Sequence, residues 1–229
     1  MATSAKGMEE QPLALRLLLA CGAVGPLLFI VVFLIEGATR ADYNPLRYPV
    51  SSLSIGDLGW IQAANFLVTG LLIFAFAIGL RRALRGSRGG TWGPLLIGLD
   101  GLGLFGAGIF TTDPIYGYPP GAPLVLAQYS VHGHFHDFFS LLVFAGLPAA
   151  CFVFCRRFAT LGERGWAVYS ILAGLAMLVT FVLAGVGFTQ NPSLVNIAGV
   201  FQRLSIAIGF TWIALLAFRL MSKKPRSGR

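Results

Sequence analysis

Six long apolar segments decide what this chain can fold into. They run approximately over residues 13–35, 60–80, 92–111, 130–155, 166–188 and 197–220. A helix needs about 20 mostly apolar residues to cross a hydrocarbon core of roughly 30 Å, and each segment meets that length. Hydrophobic residues make up 56% of the chain and charged residues 11%. This composition is too hydrophobic for a soluble domain. The sequence therefore predicts an all-α fold, a polytopic bundle of six transmembrane helices that forms one domain over residues 1–229.

The connections between these segments carry very different charges. The first and third hold only Arg40 and Arg47. The second, the fourth and the C-terminal tail hold Arg81, Arg82, Arg85, Arg88, Arg156, Arg157, Arg164, Arg219, Lys223, Lys224, Arg226 and Arg229. Because basic loops stay in the cytoplasm, both termini are expected there. The same rule accounts for the net charge of +8, so we expect no nucleic-acid partner.

All three histidines of the chain lie in the stretch SVHGHFHDFFS, residues 130–140. On a helix, His132 and His136 stand one turn apart on the same face, whereas His134 points away from them. Three imidazoles meeting at one ion would need an unwound first turn, for which Gly133 gives the freedom. Two interpretations of this spacing stay open. The favoured one is a local polar network, in which histidines at a helix mouth hydrogen-bond to loops and headgroups. The other is a metal site with His132, His136 and Asp113 as the zinc ligands.

Other polar residues fall near the same ends of their spans. Because a charge inside a bilayer needs a partner or a purpose, we expect Asp137 and Arg203 to pair. Asp100 is deeper, roughly 18 Å from the outer end of its span at 1.5 Å per residue. The first outer loop adds the serines of PVSSLSIGDLGW, and this loop is either a lid over the histidines or an interface anchor. The predicted polar site comprises Ser52, Ser54, Asp100, Asp113, His132, His136, Asp137 and Arg203.

Three functions remain open at this point. The leading hypothesis is a protein that binds a membrane lipid or another small ligand at the polar site. A zinc-dependent membrane lipid hydrolase using His132 and His136 is the first alternative, although no glutamate stands between them as in HExxH. A proton-coupled small-molecule transporter using Asp100 is the second. Catalytic residues, protein partners and oligomeric state do not follow from one sequence.

A family resemblance is carried by four elements of the chain. These are the six spans, the loop YNPLRYPVSSLSIGDLGW, the motif FTTDP at the end of the third span, and HGHFHD at the start of the fourth. Together they resemble the prokaryotic membrane family known only as domain of unknown function 998. The resemblance implies a six-helix membrane bundle and carries no established reaction. The positions that match its motifs are Ser52, Ser54, Asp113, Pro114, His132, His136 and Asp137. Low lysine and high arginine, alanine and glycine suggest a GC-rich bacterial genome. The expected location is the bacterial plasma membrane.

Overall fold

The computed structural model describes residues 12–124 and 127–222. Six helices account for most of them, and the described residues contain no β-strand. The helices are α1 (Leu13–Thr39), α2 (Gly59–Ala83), α3 (Trp92–Ile109), α4 (Val131–Thr160), α5 (Arg164–Phe188) and α6 (Ala198–Ser222). Two short 3-10 helices, Val50–Ser54 and Val195–Ile197, lie in connections.

Each predicted span corresponds to one of these helices. All six are long and apolar enough to cross a membrane. The prediction of an all-helical membrane protein with six spans is therefore confirmed. Several helices continue past the predicted limits because the chain stays helical beyond its apolar part; α4, for example, ends at Thr160 rather than near 155. The basic residues 223–229 used for the orientation lie outside the described residues.

The helices form a closed ring in chain order. Every helix packs against the next one, and α6 returns to pack against α1. Glycines allow the closest approaches: a Cβ on Gly70 of α2 would lie 2.7 Å from the carbonyl oxygen of Gly101 on α3. Small residues at such crossings are the usual means by which membrane helices pack, since no water is available to drive them together.

The antiparallel order divides the bundle into two ends. The histidine end comprises the connections 40–58, 110–130 and 189–197 with the helix ends beside them. The arginine end comprises the connections 84–91 and 161–163 with the beginning of α1 and the end of α6. The arginine end has short turns, while the histidine end has two long folded loops. The candidate residues of the sequence, except Asp100, all lie at the histidine end.

Candidate functional site

The first long loop, residues 40–58, folds back over the bundle, and we call it the cap. Tyr43, Val50 and Leu53 are buried in it. Two backbone amides join it to the start of α6: the Val50 amide donates to Gln202 Oε1 at 2.8 Å, and the Val200 amide donates to a cap carbonyl at 3.2 Å. The cap is thus a packed part of the fold.

Arg203 fixes the cap from below. Its guanidinium donates to the Tyr43 hydroxyl, and to the carbonyl oxygens of Tyr48 and Gly199 at 3.0 Å each. It also lies over the rings of Phe33 and Tyr43, at 5.8 and 5.6 Å from their centroids. Burial raises the pKa of Tyr43 to about 12, although the neighbouring Arg203 acts in the opposite direction.

The expected ion pair between Asp137 and Arg203 is not formed. The two ion pairs in the described part of the chain are Arg40 with Glu36 and Arg219 with Glu163. The physical reason is the direction of the side chains. Arg203 faces α1 and the cap, where hydroxyl and carbonyl oxygens satisfy it, while Asp137 lines a cleft farther along the ring. Similar depth in the membrane was not enough to bring them together.

Three tyrosines join the cap to the second long loop. Tyr118 of that loop is buried, and its ring lies 5.4 Å from the ring of Tyr43 and 5.0 Å from that of Tyr48. Burial raises the pKa of Tyr118 as well. Sequence reasoning missed this cluster because aromatic residues in a membrane protein's loops commonly serve as interface anchors.

The predicted serines of the cap serve its internal structure. Ser54 Oγ donates to the carbonyl oxygen of Ser51 at 2.7 Å, and Ser52 is fully buried. Neither lines the cleft. Their neighbour Ser51 does, which the sequence did not single out. The Val50–Ser54 helix directs alternate serines inward, and this geometry cannot be predicted from a run of hydroxyl residues.

The three histidines separate into different environments. His136 is 2% exposed, and its Nδ1 lies 3.1 Å from the carbonyl oxygen of Ala107 and 2.7 Å from that of Phe110. His132 is exposed, with its ring 5.6 Å from the Phe110 ring. His134 is exposed beside Tyr129. Because α4 is regular from Val131, the unwinding considered at Gly133 does not occur.

Asp113 and Ser130 together begin α4. The Ser130 hydroxyl accepts a hydrogen bond from the Gly133 amide at 2.9 Å, and the Asp113 carboxylate accepts one from the Ser130 amide at 2.8 Å. Such oxygens satisfy the free amides of a helix N-terminus. A Cβ at position 133 would lie 2.1 Å from Asp113 Oδ2, so only glycine leaves room for this carboxylate.

The predicted zinc ligands do not converge. Among residues 12–124 and 127–222, no group of three or more His, Cys, Asp or Glu side chains is arranged to hold a metal ion. His136 Nδ1 faces two carbonyl oxygens, Asp113 begins α4, and the His132 ring contacts Phe110. The hypothesis of a zinc centre built from these three residues gains no support from their geometry.

Asp100 is separate from the rest of the predicted site. It is fully buried in α3, and neither carboxyl oxygen has a hydrogen-bond partner within the described residues. It is nine residues from the end of α3 at Ile109, which corresponds to about 13 Å rather than 18 Å. Asp100 lines neither of the two cavities near the histidine end. A stepwise polar path from Asp113 through His136 to Asp100 is therefore not visible.

Those two cavities adjoin one another. The larger, of about 470 Å³, is a cleft between α4, α5 and the second loop, and its polar wall includes Asp113, His136 and Asp137. The smaller, of about 40 Å³, lies in the apolar core beneath it. Residues that line both are Ser51, Ser140, Phe144 and Gln202. Of the predicted site residues, the cleft thus gathers three, and Ser52, Ser54, Asp100, His132 and Arg203 lie outside it.

A second polar group was missed by sequence reasoning. Gln62, Asn65 and Thr69 are buried on one face of α2. Asn65 Nδ2 donates to the carbonyl oxygen of Phe29 on α1 and to Gln62 Oε1, both at 3.2 Å. These residues stand three and four positions apart in an otherwise apolar span, which is the signal that would have found them.

The fold and the cleft define a class of protein: a helical membrane protein of six spans, capped at one end and open beside the cap. Within that class, the family model described as protein of unknown function, DUF998, matches residues 23–219. The chain belongs to this family, as the resemblance in the loop, TDP and histidine motifs implied. No curated protein and no solved structure matches the chain.

Proposed function

We propose that this protein binds a lipid or another small amphipathic ligand in the cleft at its histidine end. The observation that carries the proposal is the cleft itself, about 470 Å³ in volume, because pockets of roughly 300–1,000 Å³ are typical of small-molecule sites.

The two walls of the cleft differ in polarity, as an amphipathic ligand requires. Asp113, His136 and Asp137 form one side near the second loop. Deeper along the helices, Phe144 and Phe181 stack face to face with their ring centroids 4.4 Å apart, and both line the cleft. A head group would lie against the acids, and an apolar body against the phenylalanines.

The cleft also reaches the lipid-facing surface of the bundle. Leu141 lines it while 53% exposed, and this residue is ten positions inside α4, about 15 Å from the start of the helix. Gly185 of α5 lines the same opening, and a Cβ there would meet nothing within 4 Å. A side opening at this depth supports entry of a ligand from the bilayer.

The proposal includes an orientation in a bacterial plasma membrane, with the histidine end on the extracytoplasmic side and both termini in the cytoplasm. The described arginine-end residues are Arg16, Arg81, Arg82, Arg85, Arg88, Arg156, Arg157, Arg164 and Arg219. At the histidine end, Arg40, Arg47 and Arg203 are each hydrogen-bonded within the protein. The positive-inside bias supports this orientation. A reporter tag inserted after Ala122 tests it, and a cytosolic location of that tag would overturn it.

Filling the opening tests the proposed binding. Gly185 lines the cleft and a Cβ there meets nothing within 4 Å, so Gly185→Leu is chosen to add a large side chain at the mouth. Gly165→Leu is the matched control, because Gly165 is on the same helix at the other end and a Cβ there also meets nothing within 4 Å. Each protein is incubated with vesicles of phosphatidylethanolamine and phosphatidylglycerol, purified and examined by native mass spectrometry.

The proposal expects bound phospholipid on the wild type and on Gly165→Leu, and much less on Gly185→Leu. Equal retention by all three would overturn binding of phospholipid at this site. The two alternative functions have no comparable observation behind them, because the predicted zinc ligands are dispersed and Asp100 does not line the cleft.

A further inference from the structure

We infer that the ligand of this cleft carries a primary ammonium head on an apolar body. The inference rests on the proposed function and adds the chemical class of the ligand. It follows from which hydrogen-bonding atoms the cleft presents and which it lacks.

Among the described residues, the wall of the cleft contains carboxylates but neither lysine nor arginine. Asp113 and Asp137 supply these carboxylates. This is notable in a chain with a net charge of +8. Arg203, which follows the lining residue Gln202 in the sequence, is directed away from the cleft and forms two hydrogen bonds to the cap and one to Gly199 of α6. A ligand must therefore supply any positive charge that meets these carboxylates.

Asp137 is exposed at the cleft and has no partner within the described part of the chain. Its side chain forms no hydrogen bond or ion pair there, whereas the Asp113 carboxylate receives the Ser130 amide. Hydrogen bonds between a carboxylate and a cationic N–H donor are among the stronger ones in proteins. An ammonium group can donate hydrogen bonds to the carboxylate oxygens of Asp137, which accept none from the described residues.

His136 adds a second acceptor, independent of the acids. Its Nδ1 faces two carbonyl oxygens, at 2.7 and 3.1 Å, so Nδ1 is the nitrogen that carries the proton when the imidazole is neutral. Nε2 is then a lone-pair acceptor. The residue is 98% buried and lines the cleft, and its hydrogen bonds within the described residues are made by Nδ1. An acceptor held in this way selects a ligand that donates N–H or O–H.

The spacing of these acceptors favours an organic cation over a bare metal ion. Within the described residues, His, Asp, Glu and Cys side chains form no group of three that could hold a metal. The acceptors are instead distributed around a cavity of about 470 Å³. Tyr116 and Tyr129 line it too, and aromatic faces attract ammonium groups. A primary ammonium offers three N–H donors, which a quaternary ammonium lacks.

A primary ammonium has two sources, a phospholipid head group or a free amine with an apolar chain. Four probes share a dodecyl chain and differ in their head group: dodecylammonium, dodecylphosphoethanolamine, dodecyl maltoside and dodecyl sulfate. They distinguish the effect of head-group charge from the source of the ammonium. Binding of each is measured by calorimetric titration of the protein in phosphatidylcholine nanodiscs, with empty nanodiscs subtracted. Preference for dodecylphosphoethanolamine would indicate the lipid head group, and preference for dodecylammonium would indicate the free amine.

The inference expects one of the two ammonium probes to bind at least about tenfold more tightly than the maltoside and the sulfate. Asp137→Asn should weaken that binding by about tenfold, because the amide keeps the shape and removes the charge. Asp57→Asn is the control: it removes one negative charge from an exposed position of the cap and should change nothing. Gly185→Leu should abolish the binding of whichever probe is preferred.

The two proposals fail in different ways. If the sulfate or the maltoside binds as tightly as both ammonium probes, and Gly185→Leu blocks it, the ammonium inference is overturned and the proposed function stands. If Asp137→Asn and Asp57→Asn have equal effects, the inference is overturned as well. The proposed function itself fails if Gly185→Leu changes the binding of no probe and the wild type and Gly185→Leu retain phospholipid equally.

Discussion

The two halves of the histidine end treat their charged groups in opposite ways. In the cap half, Arg203 is hydrogen-bonded to a hydroxyl and two carbonyl oxygens and lies against two aromatic rings. In the cleft half, Asp137 has no hydrogen-bond partner in the described part of the protein, and the hydrogen bonds of His136 there are made by Nδ1. Both charged side chains lie about 8–9 Å inside their helices, five residues in for Arg203 and six for Asp137.

Arg203 and Asp137 lie at similar depth in their helices, but only Arg203 is hydrogen-bonded within the described part of the protein. This difference separates a structural role from a binding role at the histidine end. Arg203 is hydrogen-bonded to oxygens of the cap and of α6, so folding accounts for its position. Two other cap atoms, Ser52 Oγ and Arg47 Nε, are buried without a partner among the described residues, but neither residue lines the cleft. Asp137 is exposed at the cleft, where a ligand can reach its carboxylate. The cleft leaves acceptors open, and we assign the binding role to that half for this reason.

The largest effect is expected from breaking the cap half. Arg203→Leu removes all three hydrogen bonds and leaves the Tyr43 hydroxyl without this donor, so we expect the free energy of unfolding to fall by about 2–4 kcal/mol. The measurement is unfolding of the purified protein in mixed micelles by increasing sodium dodecyl sulfate. Arg47→Leu is the control, since Arg47 makes one side-chain hydrogen bond, to Gln190 at 3.3 Å. Equal losses in the two variants would show that Arg203 has no special role.

A second test uses alkaline pH on the same half. The pKa of Tyr43 is raised from 10.0 to about 12, so the folded protein holds this proton more tightly than the unfolded chain. The resulting stability is fully present below pH 10 and is lost as the pH rises toward 12. Two pKa units correspond to on the order of 2–3 kcal/mol. Ultraviolet absorbance of tyrosinate should show a late-titrating phenol that disappears in Tyr43→Phe. Titration of that phenol near pH 10 would contradict the packed cap.

The smallest effect is expected in the cleft half. Asp137→Asn removes a charge that has no partner to lose, so its free energy of unfolding should stay within about 0.5 kcal/mol of the wild type in the same micelle assay. Its ligand binding should fall, as described above. A loss of stability comparable to that of Arg203→Leu would mean that Asp137 is part of the folded framework, and the contrast between the halves would disappear.

The sequence was sufficient for the helices and insufficient for the partners of individual side chains. Apolar length alone located all six spans, because a bilayer leaves few other ways to satisfy the backbone. The motifs also brought Asp113, His136 and Asp137 to one cleft. Arg203 was misassigned, since its partners are carbonyl oxygens and a tyrosine that a loop supplies only after folding.

The histidine spacing gave a similar lesson. One helical turn correctly placed His132 and His136 on the same face, yet one is exposed and the other is buried against α3. Whether a helix face meets a neighbour or the surroundings at a given level depends on tertiary packing, which a single-sequence pattern does not contain. Gln62 and Asn65 were overlooked because they look unremarkable in a span without charges.

The side opening at Leu141 and Gly185 changes what an affinity means for this protein. A ligand that arrives through the hydrocarbon first partitions into the bilayer, and each methylene favours that transfer by about 0.8 kcal/mol, or roughly fourfold. Affinity measured from water would then rise with chain length even if the added carbons never touched the cleft. An affinity measured from water would report the hydrophobicity of the ligand. Ligands compared at equal mole fraction in the lipid would instead report the selectivity of the cleft.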